Sequence, residues 1–227
     1  NPDTVLEAGV GEATTLSFIL KNLPSTRGFG FDISWSRIAV ANQWMNENQL
    51  DDRFELCTAS MFSIPLPDNS IDVVYTSHSI EPNGGKEEEA VAELYRVTSK
   101  YLILLEPAYE LADPKAQERM RLHGYCINLQ TAIRNLGYSI EHHGLYPHCI
   151  NPLNPTGITV ISKNSPTQSK AEFCCPATKQ ALLKTEGALL SPAHLAAYPV
   201  LGGIPCLREE NAIIASQLSL QLSSQHG

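Results

Sequence analysis

Short apolar runs and longer amphipathic stretches alternate along the first two thirds of the chain. Thr4 to Glu7 is a strand-length run that stops at glycines, and Ala13 to Leu23 follows with helical spacing before Pro24. Gly28 to Asp32 predicts a second strand. Ser34 to Asn48 predicts a helix with Ile38, Ala41, Trp44 and Met45 at helical spacing and Ser34 as its cap. Phe54 to Thr58, Ile71 to Thr76 and Tyr101 to Glu106 predict strands three to five, with an acidic helix from Lys86 to Val97 between the last two. Helical segments near Asp113 to His123 and Leu129 to Leu136 lead to two closing strands, about Ser139 to Leu145 and Gly157 to Ser162. This alternation predicts an α/β fold with a seven-stranded, mostly parallel sheet and helices on both faces.

Asn164 to Lys170 is rich in Ser, Thr, Gln, Asn and Pro, which predicts a loop. The expected division is a first domain over 1–163, a linker over 164–172 and a small module with a polar tail over 173–227. Leu218 to Gly227 is expected to fray beyond a last helix. The formal charge of −8 falls entirely in residues 1–163, which carry 12 Lys and Arg against 20 Asp and Glu. Counterion release needs clustered cations, so this balance argues against nucleic acid as a broad partner. No run approaches the roughly 18 apolar residues that span a bilayer, and no membrane partner is expected. A cytoplasmic protein with reduced thiols is the resulting expectation, since six scattered cysteines do not form a disulfide framework in a chain of 227 residues.

Glu7-x-Gly9-x-Gly11 follows a buried strand and precedes a helix, where a parallel sheet binds nucleotide-like ligands and glycine lets the backbone approach them. An ordinary glycine-rich turn reads equally well from these residues alone. Asp32 closes the second strand about 20 residues further on, where a carboxylate can accept hydrogen bonds from ribose hydroxyls. It can also cap the following helix. The string Ile64-Pro65-Leu66-Pro67-Asp68-Asn69-Ser70-Ile71-Asp72-Val73-Val74 is more specific than either.

Val5-Leu6-Glu7-Ala8-Gly9-Val10-Gly11, Gly30-Phe31-Asp32-Ile33-Ser34 and the Ile64 to Val74 string occur in the order and at the spacing of class I S-adenosylmethionine-dependent methyltransferases, which the chain resembles over about residues 4 to 162. Glu93-Leu94-Tyr95-Arg96-Val97 is similar to that family's helix before strand five. The resemblance implies a Rossmann-like sheet, S-adenosylmethionine as cofactor and S-adenosylhomocysteine as product. It places Glu7, Ala8, Gly9 and Gly11 around the cofactor, with Glu7 and Gly9 along its methionine part. Asp32 is implied at the ribose, Ile33 on adenine, Ser60 and Met61 at the adenine edge, and Ser77 and His78 facing the methyl group. Many relatives have Asp where this chain has Ser60, and Glu81-Pro82-Asn83 stands where relatives often have Glu-His.

Methyl transfer from a sulfonium is an in-line displacement whose main demands are alignment and exclusion of water. His78 is the best-placed candidate for a general base if the acceptor must lose a proton, and a histidine that only shapes the cleft rim is the other reading. Glu106-Pro107, Tyr109 and Glu110 can line an acceptor pocket, or Glu106 can be structural. His142, His143, His148 and Cys149 are close in sequence, but His142 and His143 are expected on opposite faces of a strand, against a metal site.

Cys174-Cys175-Pro176 through Leu182-Leu183, Tyr198-Pro199-Val200-Leu201-Gly202-Gly203-Ile204-Pro205-Cys206-Leu207 and a following helix with Ala212 resemble the small Trm112-like, zinc-ribbon-related family. This implies an α+β module. A C-x-x-C pair counted from Cys175 would end at Thr178, which is no zinc ligand, and the adjacent Cys174 and Cys175 with Cys206 make a poor set, so a metal-free module is expected. Its implied role is packing, homo-oligomer formation or contact with a partner subunit. The expected activity is methyl transfer to a small-molecule acceptor, such as a sugar or other hydroxyl-bearing intermediate. Methylation of RNA or protein, and a non-catalytic regulatory subunit, are the rival readings. Members of the methyltransferase family usually carry helices ahead of strand one that cover the cofactor. Here that cover is expected from a segment ahead of residue 1, from the C-terminal module or from a second subunit.

Overall fold

The computed structural model describes residues 1–148, 151–165 and 167–217. Its first part alternates β1 (Thr4–Ala8), α1 (Thr14–Asn22), β2 (Arg27–Asp32), α2 (Trp35–Glu47), β3 (Phe54–Thr58), β4 (Ile71–Ser77), α3 (Glu87–Val97) and β5 (Thr98–Pro107). The short helices α4 (Pro114–Leu122) and α5 (Leu129–Asn135) then lead to β6 (Ile140–Leu145) and β7 (Thr156–Ser162). The seven strands form one sheet in the order β3-β2-β1-β4-β5-β7-β6. Strands β1 to β5 are mutually parallel, whereas β7 pairs antiparallel with both β5 and β6. The order reverses between β1 and β4, which opens a crevice at the carboxyl ends of those strands.

Alternation along β1 divides the core between the two faces. Val5 packs with Leu16, Leu20, Ile38, Ala41 and Met45 of α1 and α2, while Leu6 packs with Phe29, Phe31, Val74 and Leu94 on the other face. Leu16 and Leu20 are fully buried, each contributing about 2 kcal/mol through removal of apolar surface from water. Arg53 closes the end of α1, its guanidinium donating to the carbonyls of Leu20, Leu23 and Thr26 at 2.7, 2.7 and 3.0 Å. Among the described residues no helix is long and apolar enough to cross a membrane.

The polar segment after β7 is pinned across the amino-terminal ends of the strands. Ser165 donates to Asn69 Oδ1 at 2.7 Å, Gln168 donates to Asp72 Oδ1 at 2.8 Å, and the Ser169 amide reaches the Asn69 carbonyl at 3.1 Å. The chain then forms β8 (Leu183–Thr185), β9 (Ala188–Ser191), β10 (Ala196–Leu201), β11 (Ile204–Pro205) and β12 (Ile213–Ile214). Strands β8 to β11 make an antiparallel sheet, and β12 pairs with β10. Cys175, Leu189, Tyr198 and Leu207 join the same buried cluster as Phe29 and Phe31, and Phe173 meets Phe29 edge-on with ring centroids 6.1 Å apart. The Leu207 amide donates to the Thr58 carbonyl at 2.8 Å, so this segment covers the β3 edge of the large sheet.

The expected helix through Ala212 is not formed. Ala212 follows a single 3-10 turn (Glu209–Asn211), and the β-branched Ile213 and Ile214 pair with Ala197 and Ala196 of β10 instead. Helical backbone resumes at Ser216, at the limit of the described residues. Cys149 and the Leu218 to Gly227 tail lie outside them.

Two buried carboxylates hold opposite ends of the sheet. Asp72 is fully buried and accepts from the Asp3 amide at 2.7 Å, Gln168 at 2.8 Å, Lys100 at 2.9 Å and the Ser99 hydroxyl at 3.2 Å. Burial alone would raise its pKa, but Lys100 and the Asp3 amide outweigh it and hold the carboxyl below its ordinary 3.8. The stabilisation is therefore complete above the unfolded pKa and lost as pH falls through the lower folded value. Asp72→Ala is expected to cost about 2–4 kcal/mol in urea unfolding at pH 7, since it leaves four donors unpaired, and the deficit shrinks in acid.

Glu7 is 4% exposed and accepts the Leu16 amide at 3.1 Å, tying β1 to α1. Burial pushes its carboxyl up to about 7, against the opposing pull of the Tyr75 hydroxyl and the Leu16 amide. The folded state thus holds this proton more tightly than the unfolded chain, so stability is greatest below about 4.5 and declines as pH rises toward 7. Glu7→Gln keeps the acceptor and removes the titration. Urea unfolding at pH 5 and pH 8 should show the variant gaining about 1–3 kcal/mol on the wild type over that interval. An unchanged pH dependence would contradict the assignment.

Candidate functional site

The glycine turn after β1 is shaped by what crosses it. The Gly9 and Val10 amides donate to the Phe31 carbonyl at 3.0 and 2.8 Å, which folds the turn over β2. Gly9 has φ +77°, and a Cβ there would lie 2.4 Å from the Ser79 Cβ. Both conformation and space demand glycine. Ser79 is fixed in turn by its hydroxyl, which donates to the Ala8 carbonyl at 2.7 Å.

Asp32 stands at the end of β2, where its Oδ2 accepts the Gly11 amide at 3.2 Å and its Oδ1 accepts the Ser34 amide at 2.9 Å. The Ser34 hydroxyl then caps α2 by accepting the Arg37 amide at 3.4 Å. Each oxygen of Asp32 retains acceptor capacity beyond its one backbone partner. Ile33 is 64% exposed beside it, and Ser60, Met61 and Phe62 form the facing turn, where the Ser60 hydroxyl accepts the Phe62 amide at 3.2 Å.

These residues enclose a cleft of about 550 Å³ lined by Gly9, Asp32, Ile33, Ser60, Met61, Ser77 and His78 of the expected set. Phe31, Ser34, Arg37, Ala59, Phe62, Ser79, Pro82 and Asn83 complete its lining. Three expected residues stand behind the wall. The Glu7 carboxylate is spent on α1, Ala8 is fully buried with its carbonyl engaged by Ser79, and Gly11 supports Asp32 through its amide. Their placement follows from strand alternation and from the turn closing over β2, which puts the backbone of Gly9 into the cleft, leaves Glu7 and Ala8 in the core and Gly11 half-buried beside Asp32.

The C-terminal strands grip the turns on either side of this cleft. Trp35 Nε1 donates to the Leu201 carbonyl at 3.1 Å, next to Ile33 and Ser34. On the facing turn Ser63 donates to the Pro176 carbonyl at 2.9 Å, and Lys179 bridges Glu93 at 3.0 Å and the Ile64 carbonyl at 3.2 Å.

Beyond β4 the chain is held by Glu106, 2% exposed at the end of β5. Its carboxylate accepts the amides of Ser79, Ile80 and Glu81 at 3.1, 3.1 and 3.0 Å, so it is a structural group rather than part of a pocket wall. Burial still pushes its pKa up. His78, immediately before this triplet, is forced to φ +54°, a conformation that costs a non-glycine residue about 1 kcal/mol or more. Its Nδ1 meets Glu81 at 2.5 Å and its Nε2 meets the Thr156 hydroxyl at 2.8 Å. The Glu81 hydrogen bond and charge hold the imidazole above its ordinary 6.5, outweighing burial, and His78 in turn holds Glu81 below the ordinary carboxylate value.

A second cavity of about 440 Å³ adjoins the cleft and shares Ser77 and His78 with it. Thr15, Leu105, Tyr146, His148, Asn151, Asn154 and Thr156 supply the rest of its wall. Tyr109 and Glu110 do not line it. His142 is exposed, while His143 turns to Thr159 at 2.9 Å, so the two point apart as alternation requires.

Residues 5–100 match the family model of a methyltransferase domain. No curated protein sequence matches the chain. Among solved structures, a SAM-dependent methyltransferase from Aquifex aeolicus is 17% identical, with 70% of this chain and 81% of that one aligned at a TM-score of 0.55. Geranyl diphosphate C-methyltransferase from Streptomyces coelicolor A3(2), solved with Mg2+, geranyl diphosphate and S-adenosyl-L-homocysteine, is 11% identical over 71% of this chain and 73% of its own, with a TM-score of 0.55. The cyclase SpnF is 16% identical over 71% of this chain and 75% of its own, with a TM-score of 0.56. The likeness to these structures is one of fold, and the match to the methyltransferase-domain model covers β1 to the start of β5.

Proposed function

We propose that this chain transfers the methyl group of S-adenosylmethionine to a small, uncharged, hydroxyl-bearing molecule, with the donor in the Gly9–Asp32 cleft and the acceptor in the adjoining cavity. The observation that carries this reading is the pair of cavities meeting at Ser77 and His78. A fold alone does not fix a reaction, and a cyclase stands among its users, so the argument rests on the site.

The residues present suit the donor. Gly9 keeps its wall free of side chain, Asp32 offers carboxylate oxygens to ribose hydroxyls, and exposed Ile33 with Met61 and Phe62 offers apolar surface to a purine. When bound, the cofactor supplies an electrophilic methyl group on a sulfonium. Among the described residues, the side chains lining the second cavity are hydroxyls, amides, imidazoles and one leucine, without a carboxylate, ammonium or guanidinium group. Such a wall favours an uncharged polar acceptor, and the net charge of −8 further disfavours RNA.

His78 is proposed as the general base. With Nδ1–H donated to Glu81, its Nε2 carries the lone pair, and the hydroxyl partner it now has in Thr156 stands where an acceptor hydroxyl would donate. Glu81, also held by Asn154 at 3.0 Å, stabilises the imidazolium formed as the proton arrives.

Titration calorimetry tests the donor site. Wild type is expected to bind S-adenosylmethionine, Gly9→Ala to lose binding, and Asp32→Ala to weaken it by about 10–100-fold, the worth of hydrogen bonds to a charged acceptor. A wild type that binds nothing at millimolar cofactor would overturn the proposal.

For the base, His78→Gln should lower kcat by about 10²–10³-fold while leaving cofactor affinity unchanged. The wild-type rate should rise with pH through a midpoint above 6.5, because only the deprotonated ring accepts a proton and Glu81 raises its pKa. Glu81→Gln should move that midpoint down. A flat pH profile would leave His78 as a wall residue.

A further inference from the structure

The C-terminal strands contain two turns of the same construction facing one another. The first runs from Cys175 to Thr178 ahead of β8, and its next residue, Lys179, is left-handed at φ +58°. The second runs from Ser191 to His194 between β9 and β10, and its next residue, Leu195, is left-handed at φ +53°. Neither Lys nor Leu adopts that conformation readily, so both turns are held in shape by their surroundings. Metal-binding turns present ligands in this way, as two pairs with two residues between members, both pairs converging on one ion.

The two turns do converge, on the sulfur of Cys175. His194 Nδ1 lies 3.8 Å from it and the Tyr198 hydroxyl 3.6 Å from it, with 3.1 Å between those two groups. The hydroxyls of Thr178 and Ser191 and the Thr178 amide also face the sulfur. Burial opposes the thiolate, but these donors prevail and hold the thiol below its ordinary range. Ser191 is fully buried, and its hydroxyl accepts the His194 amide at 3.3 Å.

This donor set does not suit zinc. Two of the four ligand positions carry aliphatic hydroxyls, and among the described residues no three His, Cys, Asp or Glu side chains converge. Cys206, a further candidate, turns its sulfur toward the Ile204 carbonyl. We propose that Cys175-x-x-Thr178 and Ser191-x-x-His194 form a four-position metal frame closed by hydrogen bonds around one sulfur, and that thiols at the two hydroxyl positions suffice to convert it into a zinc site. The frame fastens the two turns together, and through Lys179 and Pro176 it fastens them to the Ser63–Ile64 turn beside the cleft.

The test uses the full chain carrying Thr178→Cys and Ser191→Cys, loaded with zinc sulfate, desalted and measured by atomic emission, with circular dichroism as the folding control. Close to one zinc per chain is expected for the double variant and none retained by wild type. Stoichiometric zinc in wild type, or a folded double variant that retains none, would overturn the proposal. Should the double variant not fold, Cys175→Ala and wild type decide it. Wild type should melt at the same temperature in EDTA and in zinc, and Cys175→Ala should melt roughly 3–8 °C lower in both, as loss of a small buried network requires. A wild-type melting temperature that falls in EDTA, or a Cys175→Ala variant as stable as wild type, would contradict it.

Discussion

Three consecutive amides bound to one buried carboxylate set the geometry of this molecule's working face. Glu106 takes the amides of Ser79, Ile80 and Glu81, so the chain leaving β4 turns where β5 dictates. Ser79 is thereby pressed against the Gly9 turn and hydrogen-bonded to Ala8, which is why no side chain fits at residue 9. His78 is driven into a left-handed conformation at the same point, with its ring between Glu81 and Thr156. The cleft and the neighbouring cavity thus share a wall made rigid by a residue that faces neither.

The C-terminal strands belong to the same mechanical unit. Their apolar side chains continue the core around Phe29 and Phe31, and their polar ties run to Trp35 and Ser63, on opposite sides of the cleft. The spacing of those two turns is set by packing that begins more than a hundred residues further along the chain.

Much of this was legible from the amino-acid sequence because the signals are local. Strand alternation placed Val5 and Leu6 on opposite faces, and Gly9, Asp32, Ile33 and Ser60, far apart in the chain, line one cleft. What local patterns could not carry was the partner of each polar group. Asp72 belongs to the most specific string in the sequence, yet it is buried against Asp3, Lys100 and Gln168 at the end of the sheet away from the cleft. Nor does the position of Glu7 in the glycine motif reveal its bond to the Leu16 amide. The helix that the C-terminal resemblance implied through Ala212 gives way to a strand whose partner, β10, is its neighbour only in space. His78 lies three residues from Glu81 but 78 from Thr156, and only the second distance places its ring at the junction of the cavities.

The reversed direction of β7 has a bearing on how such a protein can diversify. A parallel strand would bring its carboxyl end to the working face, but β7 arrives there with its first residue, Thr156, and the backbone leading into it. Tyr146, His148, Asn151 and Asn154 of the second cavity therefore fall between the end of β6 and the start of β7 at Thr156, and none of them lines the cleft at Asp32 and Gly9. Changes of composition at those positions can reshape the second cavity while the residues around Gly9 and Asp32 stay as they are.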